Sequence, residues 1–560
     1  MKAKKESPEP LALSWREIGA VVLLGAAFLC LYLATLDLRA NFDALISAAW
    51  AESWRPRHGL EKLFAWNHFL FNAAGWGLFW LFRPWHLSGY RTLQILNAAL
   101  AAGTVSILFA FLLSRTRRLA WSAGWAALLG VSQAFWRQGV GGEAYTSGAF
   151  FVLLAVVACS AYARAPGLRA AVRAAACAGA AALFHSGNLA ACLPVLFALR
   201  LKSRAAPALR HGLAVAGTWA ALAAPYLWVH RIFSPAAARR WFAVSSYAQR
   251  PFEGLQGPHS WRLDVGAASQ ALRSSLLSLE SGRAAFAGLA ALLAMAWWRG
   301  RPWFDPARRA LKEDAALFAA AFCAYFALYS AWQPGNDVYW CAIVPLLLAF
   351  LGTAGPAEPP ALRAAALWAS VGLAASVNLA YTILPNREMG NFPTLSFASS
   401  LSRLTPPNAV ILISGLWSDL KVHIPAFSRR KRLALELYLL GGPKEQALRS
   451  LAVELDRLRR SGTPVYTLSE FWDEQVLAEL KKVWGVERSD LDALLRPYRA
   501  VRVQRFQVPH PRLRAQDLSL LVPVPAGSED EKRLLGALES GGFKAHARRA
   551  RAQSRSAKSL

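Results

Sequence analysis

Long apolar runs separated by short polar turns recur along the first two thirds of the chain. A helix that crosses a bilayer needs about 20 mostly apolar residues. Eleven runs are candidates, of which 189–199 is short and would need Gly187 and Asn188 to reach across. They lie at 18–36, 93–113, 119–135, 145–163, 170–184, 189–199, 213–229, 284–298, 315–332, 338–352 and 362–384. Because a soluble protein cannot bury so many apolar helices, the pattern predicts a polytopic α-helical membrane protein with about 11 transmembrane helices.

The pattern changes after residue 384. Short apolar segments that read as strands alternate there with segments of helical periodicity. The strands are expected at 409–414, 464–468, 500–507 and 518–524, and the helices at 429–440, 445–460 and 472–483. We therefore predict an α/β domain over 385–530, followed by a basic tail over 531–560 that we expect to be disordered.

The basic residues predict the orientation in the membrane. The chain has 63 Lys and Arg against 34 Asp and Glu, a formal charge of +29. Lys and Arg concentrate in cytoplasmic loops of membrane proteins, and here they cluster in alternate turns: 2–16, 115–118, 164–173, 200–210 and 299–312. This alternation predicts a cytoplasmic N-terminus (1–16), a membrane domain (17–384) and an extracytoplasmic C-terminal domain. Because these loops account for most of the charge, nucleic acid is not an expected partner.

A twelfth apolar stretch, 63–82, would move every later basic cluster to the outer face if it crossed the membrane. We therefore predict that it is an interfacial helix within the first outer loop, 39–91. A second large outer loop is expected at 233–283. All six cysteines lie in or beside apolar runs and none in the C-terminal domain, which fits an extracytoplasmic domain in a bacterial inner (plasma) membrane.

Polar residues that are unusual for a membrane domain fall at its outer boundary. A carboxylate costs roughly 2.5–3.5 kcal/mol at the bilayer centre, and nothing about folding requires a polar cluster near the lipid. The residues are Asp43, His68, Glu143, His185, Asn336 and Asp337.

Each of these residues also has a structural interpretation. Asp43 could cap the helix that follows it, and Glu143 could stabilise the N-terminus of the fourth span. Asn336 and Asp337 follow Pro-Gly and could form a turn that opens a helix. His68 and His185 could be interfacial histidines. The sequence leaves these alternatives open.

The order of these residues resembles the GT-C superfamily of polytopic glycosyltransferases, especially bacterial relatives of protein O-mannosyltransferases and aminoarabinose transferases. Phe-Asp-Ala at 42–44 is similar to the acidic motif of the first loop, and Asn-His-Phe-Leu at 67–70 to a His-Pro-Pro-Leu motif. Glu-Ala-Tyr at 143–145 is similar to the Glu-Val-Tyr of the second outer loop. His185 followed by Pro194 matches a further family feature. The first-loop acid lacks the family's neighbouring acid, and both prolines of the His motif are absent, so substrate preference does not follow.

The resemblance implies transfer of a sugar from a polyprenyl-phosphate donor to a hydroxyl of a protein, glycolipid or polysaccharide, with inversion at the anomeric carbon. Asp43 would be the catalytic base, and Glu143 would orient hydroxyls or act as the base instead. The remaining candidates for binding substrate, including cations for the lipid phosphate, are His68, His185, Arg55, Arg57, Arg231, Asn336 and Asp337. No metal ligand set is visible and no cofactor is required, although a divalent cation could assist.

Two other functions compete with transfer. A transporter or flippase would move a lipid-linked or small polar solute, but transporters place ionisable residues near the midplane, on broken helices and often in inverted repeats. A catalytically inactive family member could instead act as an interaction protein. Transport without a covalent product would identify the first alternative.

Overall fold

The computed structural model describes residues 13–54, 59–64, 68–202, 206–237, 263–297, 309–332, 336–354, 361–416, 418–440, 442–510 and 513–558. The chain divides into two compact units. The first comprises residues 1–39, 46–246 and 258–387, and the second comprises 40–45, 247–257 and 388–560.

Helices dominate the chain up to residue 378. In order they are α1 (Trp15–Ala34), α2 (Phe42–Ser53), α3 (Leu60–Leu63), α4 (Phe69–Phe82), α5 (Gly89–Thr116), α6 (Leu119–Val131), α7 (Gln133–Val140), α8 (Tyr145–Arg164), α9 (Leu168–Phe184), α10 (Cys192–Lys202), α11 (Ala206–Val229), α12 (Val265–Leu276), α13 (Gly282–Trp297), α14 (Arg309–Trp332), α15 (Ile343–Ala354) and α16 (Ala361–Asn378).

Within the described residues, seven helices are long and apolar enough to cross a membrane. They correspond to the predicted spans that contain α1, α5, α8, α11, α13, α14 and α16. The other four predicted spans are present as shorter helical segments: 119–131, 168–184, 186–201 and 338–354. The chain is therefore a polytopic helical protein, as the apolar pattern predicted, and the total of eleven crossings stays a prediction.

We predicted that the stretch 63–82 is interfacial, and its described residues, 63–64 and 68–82, contain one sizeable helix. Helix α4 has 14 residues and is about 21 Å long at 1.5 Å per residue. A hydrocarbon core is about 30 Å thick, so α4 is too short to cross it unaided. This length is compatible with the interfacial interpretation.

Helix α5 buries about half of its residues and packs against α1, α6 and α8. Small residues allow close contacts around it and its neighbours. The side chain of Ser106 on α5 occupies the space that a Cβ at Gly25 of α1 would need, and Phe28 fills the space beside Gly130 of α6. The Tyr32 hydroxyl of α1 donates to the carbonyl oxygen of Gly130 at 2.9 Å. These contacts fix α1 against the rest of the bundle.

An ion-pair cluster joins three helices where α5 and α8 end and α14 begins. Asp314 of α14 is 1% exposed. Its Oδ2 lies 2.8 Å from Nε of Arg115 and 3.2 Å from a guanidinium nitrogen of Arg164. The Ser160 hydroxyl donates to Oδ1 of the same carboxylate. Because two guanidinium groups and a hydroxyl surround this buried carboxylate, its charge is compensated inside the bundle.

The second unit contains a five-stranded mixed sheet with helices on both faces. Its helices are α17 (Pro393–Leu404), α18 (Ser418–His423), α19 (Leu435–Leu439), α20 (Lys444–Arg460), α21 (Glu474–Trp484), α22 (Arg488–Leu495), α23 (Glu529–Ser540) and α24 (Lys544–Lys558). Its strands are β1 (Val410–Ile413), β2 (Lys431–Ala434), β3 (Val465–Leu468), β4 (Tyr498–His510) and β5 (Leu513–Pro523).

The strand order is β2-β1-β3-β5-β4. Strand β1 pairs in parallel with β2 and β3, whereas β5 pairs antiparallel with β3 and β4. Ile411 belongs to the apolar core formed with α17, α23 and α24, and Leu412 belongs to the opposite core formed with α20, α21 and α22. The α/β domain expected after residue 384 is therefore present in the second unit.

Two expectations for this unit are wrong. The segment 429–440, predicted as one helix, contains strand β2 and the short helix α19, because residues 431–434 pair with β1. The tail 531–560, predicted to be disordered, contains most of α23 and all of α24. Helix α24 is ordered because Ala547 and Ala550, one turn apart, are fully buried against the sheet.

Candidate functional site

A buried acid follows the first helix of the membrane unit. Asp37 is 2% exposed. Its Oδ1 accepts hydrogen bonds from the Tyr90 hydroxyl at 3.2 Å and from Nε2 of Gln94 at 3.1 Å. The Tyr90 hydroxyl also lies 2.7 Å from the carbonyl oxygen of Arg39. The first turns of α5 thus hold Asp37 and the backbone around it.

One face of α5 connects this acid to the turn that carries Glu143. Tyr90, Gln94 and Asn97 are spaced four and three residues apart, so they lie on the same side of the helix. Gln94 donates to the carbonyl oxygens of Asp37 and Val140 at 2.9 and 2.8 Å. Asn97 donates to the carbonyl oxygen of Glu143 at 2.6 Å. We call Asp37, Tyr90, Gln94, Asn97 and Glu143 the Asp37 network.

The Asp37 network gives its central acid an unusual proton affinity. The pKa of Asp37 is raised to about 8, mainly by burial and to a smaller extent by the nearby Glu143 carboxylate. The Tyr90 hydroxyl and the positive charges of Arg39 and Arg137 act in the opposite direction. At neutral pH, Asp37 is therefore mostly a neutral carboxylic acid that lies near the second acid of the site.

Aromatic and histidine rings surround the turn that begins with His185. The ring centroid of His185 lies 5.1 Å from His68, 4.9 Å from Tyr145 and 5.7 Å from Tyr339. The ring of Tyr329 stacks on Tyr339 at 5.1 Å. We call these five residues the His185 cluster. Since Tyr145, the first residue of α8, is two residues from Glu143, the cluster adjoins the Asp37 network at the start of that helix.

The His185 ring is neutral and accepts a hydrogen bond at one of its two nitrogens. Its Nδ1 accepts a hydrogen bond from the backbone nitrogen of Gly187 at 3.1 Å. Burial lowers the pKa of His185 well below its usual value, and the neighbouring His68 lowers it further. The proton of neutral His185 is therefore on Nε2, and this ring can donate one hydrogen bond without carrying a charge.

The structure brings Glu143, His68 and His185 into one region of the first unit. Asp43 belongs to the second unit, so its pairing with Glu143 stays a prediction. Asp43 lies in the first turn of α2, but the cap is Asn41, whose Oδ1 accepts from the Ala44 nitrogen at 3.0 Å. The interpretation of Asp43 as the helix cap is therefore wrong. The backbone next to this helix is held by His423, whose Nε2 donates to the Ala40 carbonyl oxygen at 2.5 Å.

The remaining predicted binding residues divide into three groups. Arg55 and Arg57 lie outside the described residues. Arg231 lies exposed in the turn after α11, with a φ of 54°. Asn336 and Asp337 open the short helix 337–342, where Oδ1 of Asn336 accepts from the Val338 nitrogen at 3.4 Å. The capping role of Asn336 is confirmed, and this helix positions Tyr339 in the His185 cluster.

The residues of the site that the sequence did not identify are Asp37, Tyr90, Gln94, Asn97, Tyr329 and Tyr339. A signal for Asp37 exists, because it is an acid directly after the first apolar run. A signal for Gln94 and Asn97 exists as well, because both are polar, lie inside or at the edge of an apolar run and share a helix face with Tyr90. Among the described residues, no group of three or more His, Cys, Asp or Glu side chains could hold a metal ion.

Comparisons with known proteins concern the fold. No protein-family model matches the chain, and no curated protein matches it. Its structure is similar to that of ArnT from Cupriavidus metallidurans in the apo state, with a TM-score of 0.52 and 13% identity over 90% of this chain and 98% of that chain. For the same ArnT bound to undecaprenyl phosphate, the TM-score is 0.50 and the identity 12%, over 89% and 98% of the two chains.

A third solved structure, the arabinofuranosyltransferase AftD from Mycobacteria, gives a TM-score of 0.49 and 13% identity over 92% of this chain and 40% of that chain. The similarity to ArnT extends over nearly the whole of both chains, and the resemblance that the motifs indicated is therefore confirmed at the level of the fold.

Proposed function

We propose that this protein is a membrane glycosyltransferase that moves a sugar from a polyprenyl-phosphate donor to an acceptor hydroxyl. One observation carries the proposal: a buried carboxylic acid, Asp37, lies near Glu143 and next to the His185 cluster, in a helical bundle with the GT-C fold. Perturbed acids grouped with histidines are typical of active sites. A similar structure, that of ArnT, has been solved with undecaprenyl phosphate, which supports a lipid-phosphate donor.

In the proposed reaction, the acceptor oxygen attacks the anomeric carbon of the donor sugar. The bond between that carbon and the phosphate oxygen breaks, and a single displacement inverts the configuration. The acceptor proton passes to the carboxylate of Asp43, which we propose as the general base. Glu143 would orient donor or acceptor hydroxyls, and it is the alternative base.

The leaving group is a lipid phosphate, so the reaction requires donors and cations where negative charge develops. We propose that the Nε2–H of neutral His185 and the side chain of His68 donate hydrogen bonds to substrate. Arg55, Arg57 and Arg231 remain candidate partners of the phosphate. Asn336 and Asp337 would act indirectly, because their helix positions Tyr339. No step of this scheme requires a cofactor, and a divalent cation could assist the leaving group.

We further propose that the site faces the outside of a bacterial inner membrane. The cationic ends of α5 and α8, which hold Arg115 and Arg164, lie opposite the helix ends that contribute to the Asp37 network. Because basic residues favour the cytoplasmic side, this polarity supports a cytoplasmic N-terminus. The acceptor would be a hydroxyl of a protein, a glycolipid or a polysaccharide.

The donor class can be tested with the purified protein in liposomes. We expect transfer from polyprenyl-phosphate sugars to membrane acceptors, and no transfer from the corresponding nucleotide sugars. The control is Glu280→Gln, which changes an exposed carboxylate and should leave transfer unchanged. Turnover with nucleotide sugars alone would contradict the donor assignment, and movement of the lipid without a covalent product would identify a flippase.

The raised pKa of Asp37 predicts that binding of the donor depends on pH. Asp37 ionises as the pH rises through about 8, which adds a negative charge beside Glu143 and opposes the anionic donor. We expect KM for the donor to increase roughly threefold to tenfold between pH 7 and pH 9, whereas Asp37→Asn should abolish this increase and change kcat much less. An identical pH dependence of KM in the variant would contradict this role for Asp37.

The same pKa predicts how Asp37 affects stability. The folded protein binds the proton more tightly than the unfolded chain, in which Asp has a pKa near 3.8. The free energy of unfolding therefore decreases as the pH rises from about 4 to about 8. Asp37→Asn should remove this part of the pH dependence in thermal unfolding measurements.

A further inference from the structure

Helix α24 of the second unit carries a row of cations along one side. The last 20 residues of the chain contain six Lys or Arg and no Asp or Glu. Lys544, Arg548 and Arg551 are spaced four and three residues apart, so they lie on the same side of the helix, and all three are exposed. The sequence continues this spacing with Arg555 and Lys558. We call Lys544, Arg548 and Arg551 the basic stripe.

Other residues of α24 attach the helix to the sheet. Its two buried alanines belong to the apolar core. Nδ1 of the buried His546 lies 2.9 Å from the Tyr466 hydroxyl of β3. The Arg549 guanidinium, outside the basic stripe, donates to the carbonyl oxygen of Val503 in β4. The helix is therefore held without the basic stripe, and packing does not explain these cations.

The basic stripe is unfavourable for the isolated helix. Like charges one turn apart repel each other, and Lys544, the first residue of α24, lies at the positive end of the helix dipole. Arg551 pairs with Glu539 at 2.6 Å, but Lys544 and Arg548 form no ion pair with a described residue. In α20, by contrast, the exposed Arg457 pairs with an acid of its own helix. The stripe is thus a positive surface that an anionic partner would complement.

We propose that the basic stripe binds the anionic headgroups of membrane phospholipids and docks the second unit on the bilayer surface. Covalent linkage favours this partner. The last candidate membrane span covers Ala361–Arg387, and the second unit continues directly from Glu388. Tethering a charged surface to a membrane-spanning helix raises the effective concentration of headgroups around it. The stripe therefore encounters phospholipids in preference to a soluble polyanion.

The rest of the exposed surface of α24 also favours headgroups. Ala545, Ala552 and Gln553 are exposed beside the basic stripe. None of them is an aromatic residue on which a nucleic-acid base could stack, and none is a large apolar residue that would insert into the bilayer. Binding to headgroups requires only positive charge, and each Lys or Arg near an anionic surface contributes roughly fivefold. The inference goes beyond the proposed transfer reaction, since docking needs neither donor nor acceptor.

The test uses the full-length protein in nanodiscs of phosphatidylcholine with or without phosphatidylglycerol. A fluorophore is attached at Gln553→Cys after the exposed cysteines are removed by Cys30→Ala and Cys323→Ala. Phosphatidylcholine with a nitroxide on its headgroup quenches the fluorophore when α24 lies at the surface. We expect stronger quenching in the discs that contain phosphatidylglycerol, and we expect high salt to abolish the difference because it screens exposed charges.

Removal of the charges should abolish docking. The charge-removal variant combines Lys544→Gln, Arg548→Gln and Arg551→Gln. It should lower the ratio of docked to undocked protein roughly 100-fold, so that quenching no longer depends on phosphatidylglycerol. Its melting temperature in detergent should match that of the wild type, since the one ion pair that it loses is exposed and weak.

Two control variants separate the position of the charges from their number. The first removes three cations that are 61%, 72% and 64% exposed elsewhere in the second unit, by Arg457→Gln, Arg460→Gln and Lys532→Gln. The second preserves the charge of the stripe, by Lys544→Arg, Arg548→Lys and Arg551→Lys. Both should retain the quenching that depends on phosphatidylglycerol.

Three results would overturn the proposal. The first is equal quenching of the wild type with and without phosphatidylglycerol. The second is a charge-removal variant that is folded and is quenched like the wild type. The third is binding of dextran sulfate or of an oligonucleotide that requires the basic stripe while phosphatidylglycerol has no effect, which would assign the stripe to a soluble polyanion.

Discussion

Asp43→Asn is expected to slow sugar transfer roughly 100-fold to 10,000-fold, the usual contribution of a general base. The amide group cannot accept the proton of the acceptor hydroxyl, whereas the size of the side chain is preserved. The helix should remain intact, because Asn41 rather than Asp43 supplies its cap. The measurement is the initial rate of transfer at saturating donor, normalised to the amount of folded protein in the membrane.

A parallel variant, Glu143→Gln, separates the two proposed roles. If Glu143 orients hydroxyls, its substitution should cost about tenfold in kcat/KM, comparable to the loss of one or two hydrogen bonds. The exposed Glu280→Gln serves as the control for both variants. A larger loss in Glu143→Gln than in Asp43→Asn would show that Glu143 is the base, and full activity of both variants would refute the site.

Asp314→Ala is expected to destabilise the membrane unit by about 3 kcal/mol, because it leaves two guanidinium groups in a largely buried position without their carboxylate. The pair distances of 2.8 and 3.2 Å and the 1% exposure of Asp314 place this cluster among the buried ion pairs. Thermal unfolding in detergent should show a decrease of several degrees in the melting temperature.

The control for Asp314 is a pair that is open to solvent at the same end of the bundle. Glu17 pairs with Arg117 at 3.2 Å, with both side chains partly exposed. Glu17→Gln removes the charge and keeps a residue that suits the capping box with Ser14. It should change the melting temperature far less than Asp314→Ala. Equal effects of the two substitutions would contradict the importance of burial.

Many helices of the membrane unit were predictable from the length of the apolar runs alone. In lipid, a long apolar run can form all of its backbone hydrogen bonds only as a helix. The exact residues at helix ends do not follow. The apolar pattern ends the first span at residue 36 and does not identify the next residue, Asp37, as buried. Its burial depends on Tyr90 and Gln94, which lie more than 50 positions away in the sequence. The pattern of neighbouring residues cannot predict such a distant partner.

In the C-terminal part as well, some elements were predictable from their own residues, whereas others form only through contacts with distant residues. Strands β1, β3, β4 and β5 were predictable from their apolar and β-branched residues, but β2 contains two basic residues and becomes a strand through its pairing with β1. The composition of α24, rich in Arg and Ser, resembles that of a disordered tail. Its order depends on Ala547 and Ala550 meeting a sheet, which overall composition does not reveal.

The candidate site was partly predictable. Glu143, His68 and His185 were identified because polar residues at the end of apolar helices are unusual, and the structure places them in one region. Tyr145 was identified only as part of the Glu-Ala-Tyr motif, and Tyr329 and Tyr339 were not identified, since tyrosine is common near membrane interfaces. Their grouping around His185 arises from three separate helical segments, which sequence spacing cannot bring together.

Side-chain contacts attach helix α5 to other parts of the first unit at both of its ends. Tyr90 and Gln94 fasten one end to Asp37, and Arg115 fastens the other to Asp314, about 38 Å away at 1.5 Å per residue. Sliding by a single helical turn would break both attachments at once. Any rearrangement during a reaction cycle therefore has to occur elsewhere in the bundle, while α5 keeps its position along the helix axis.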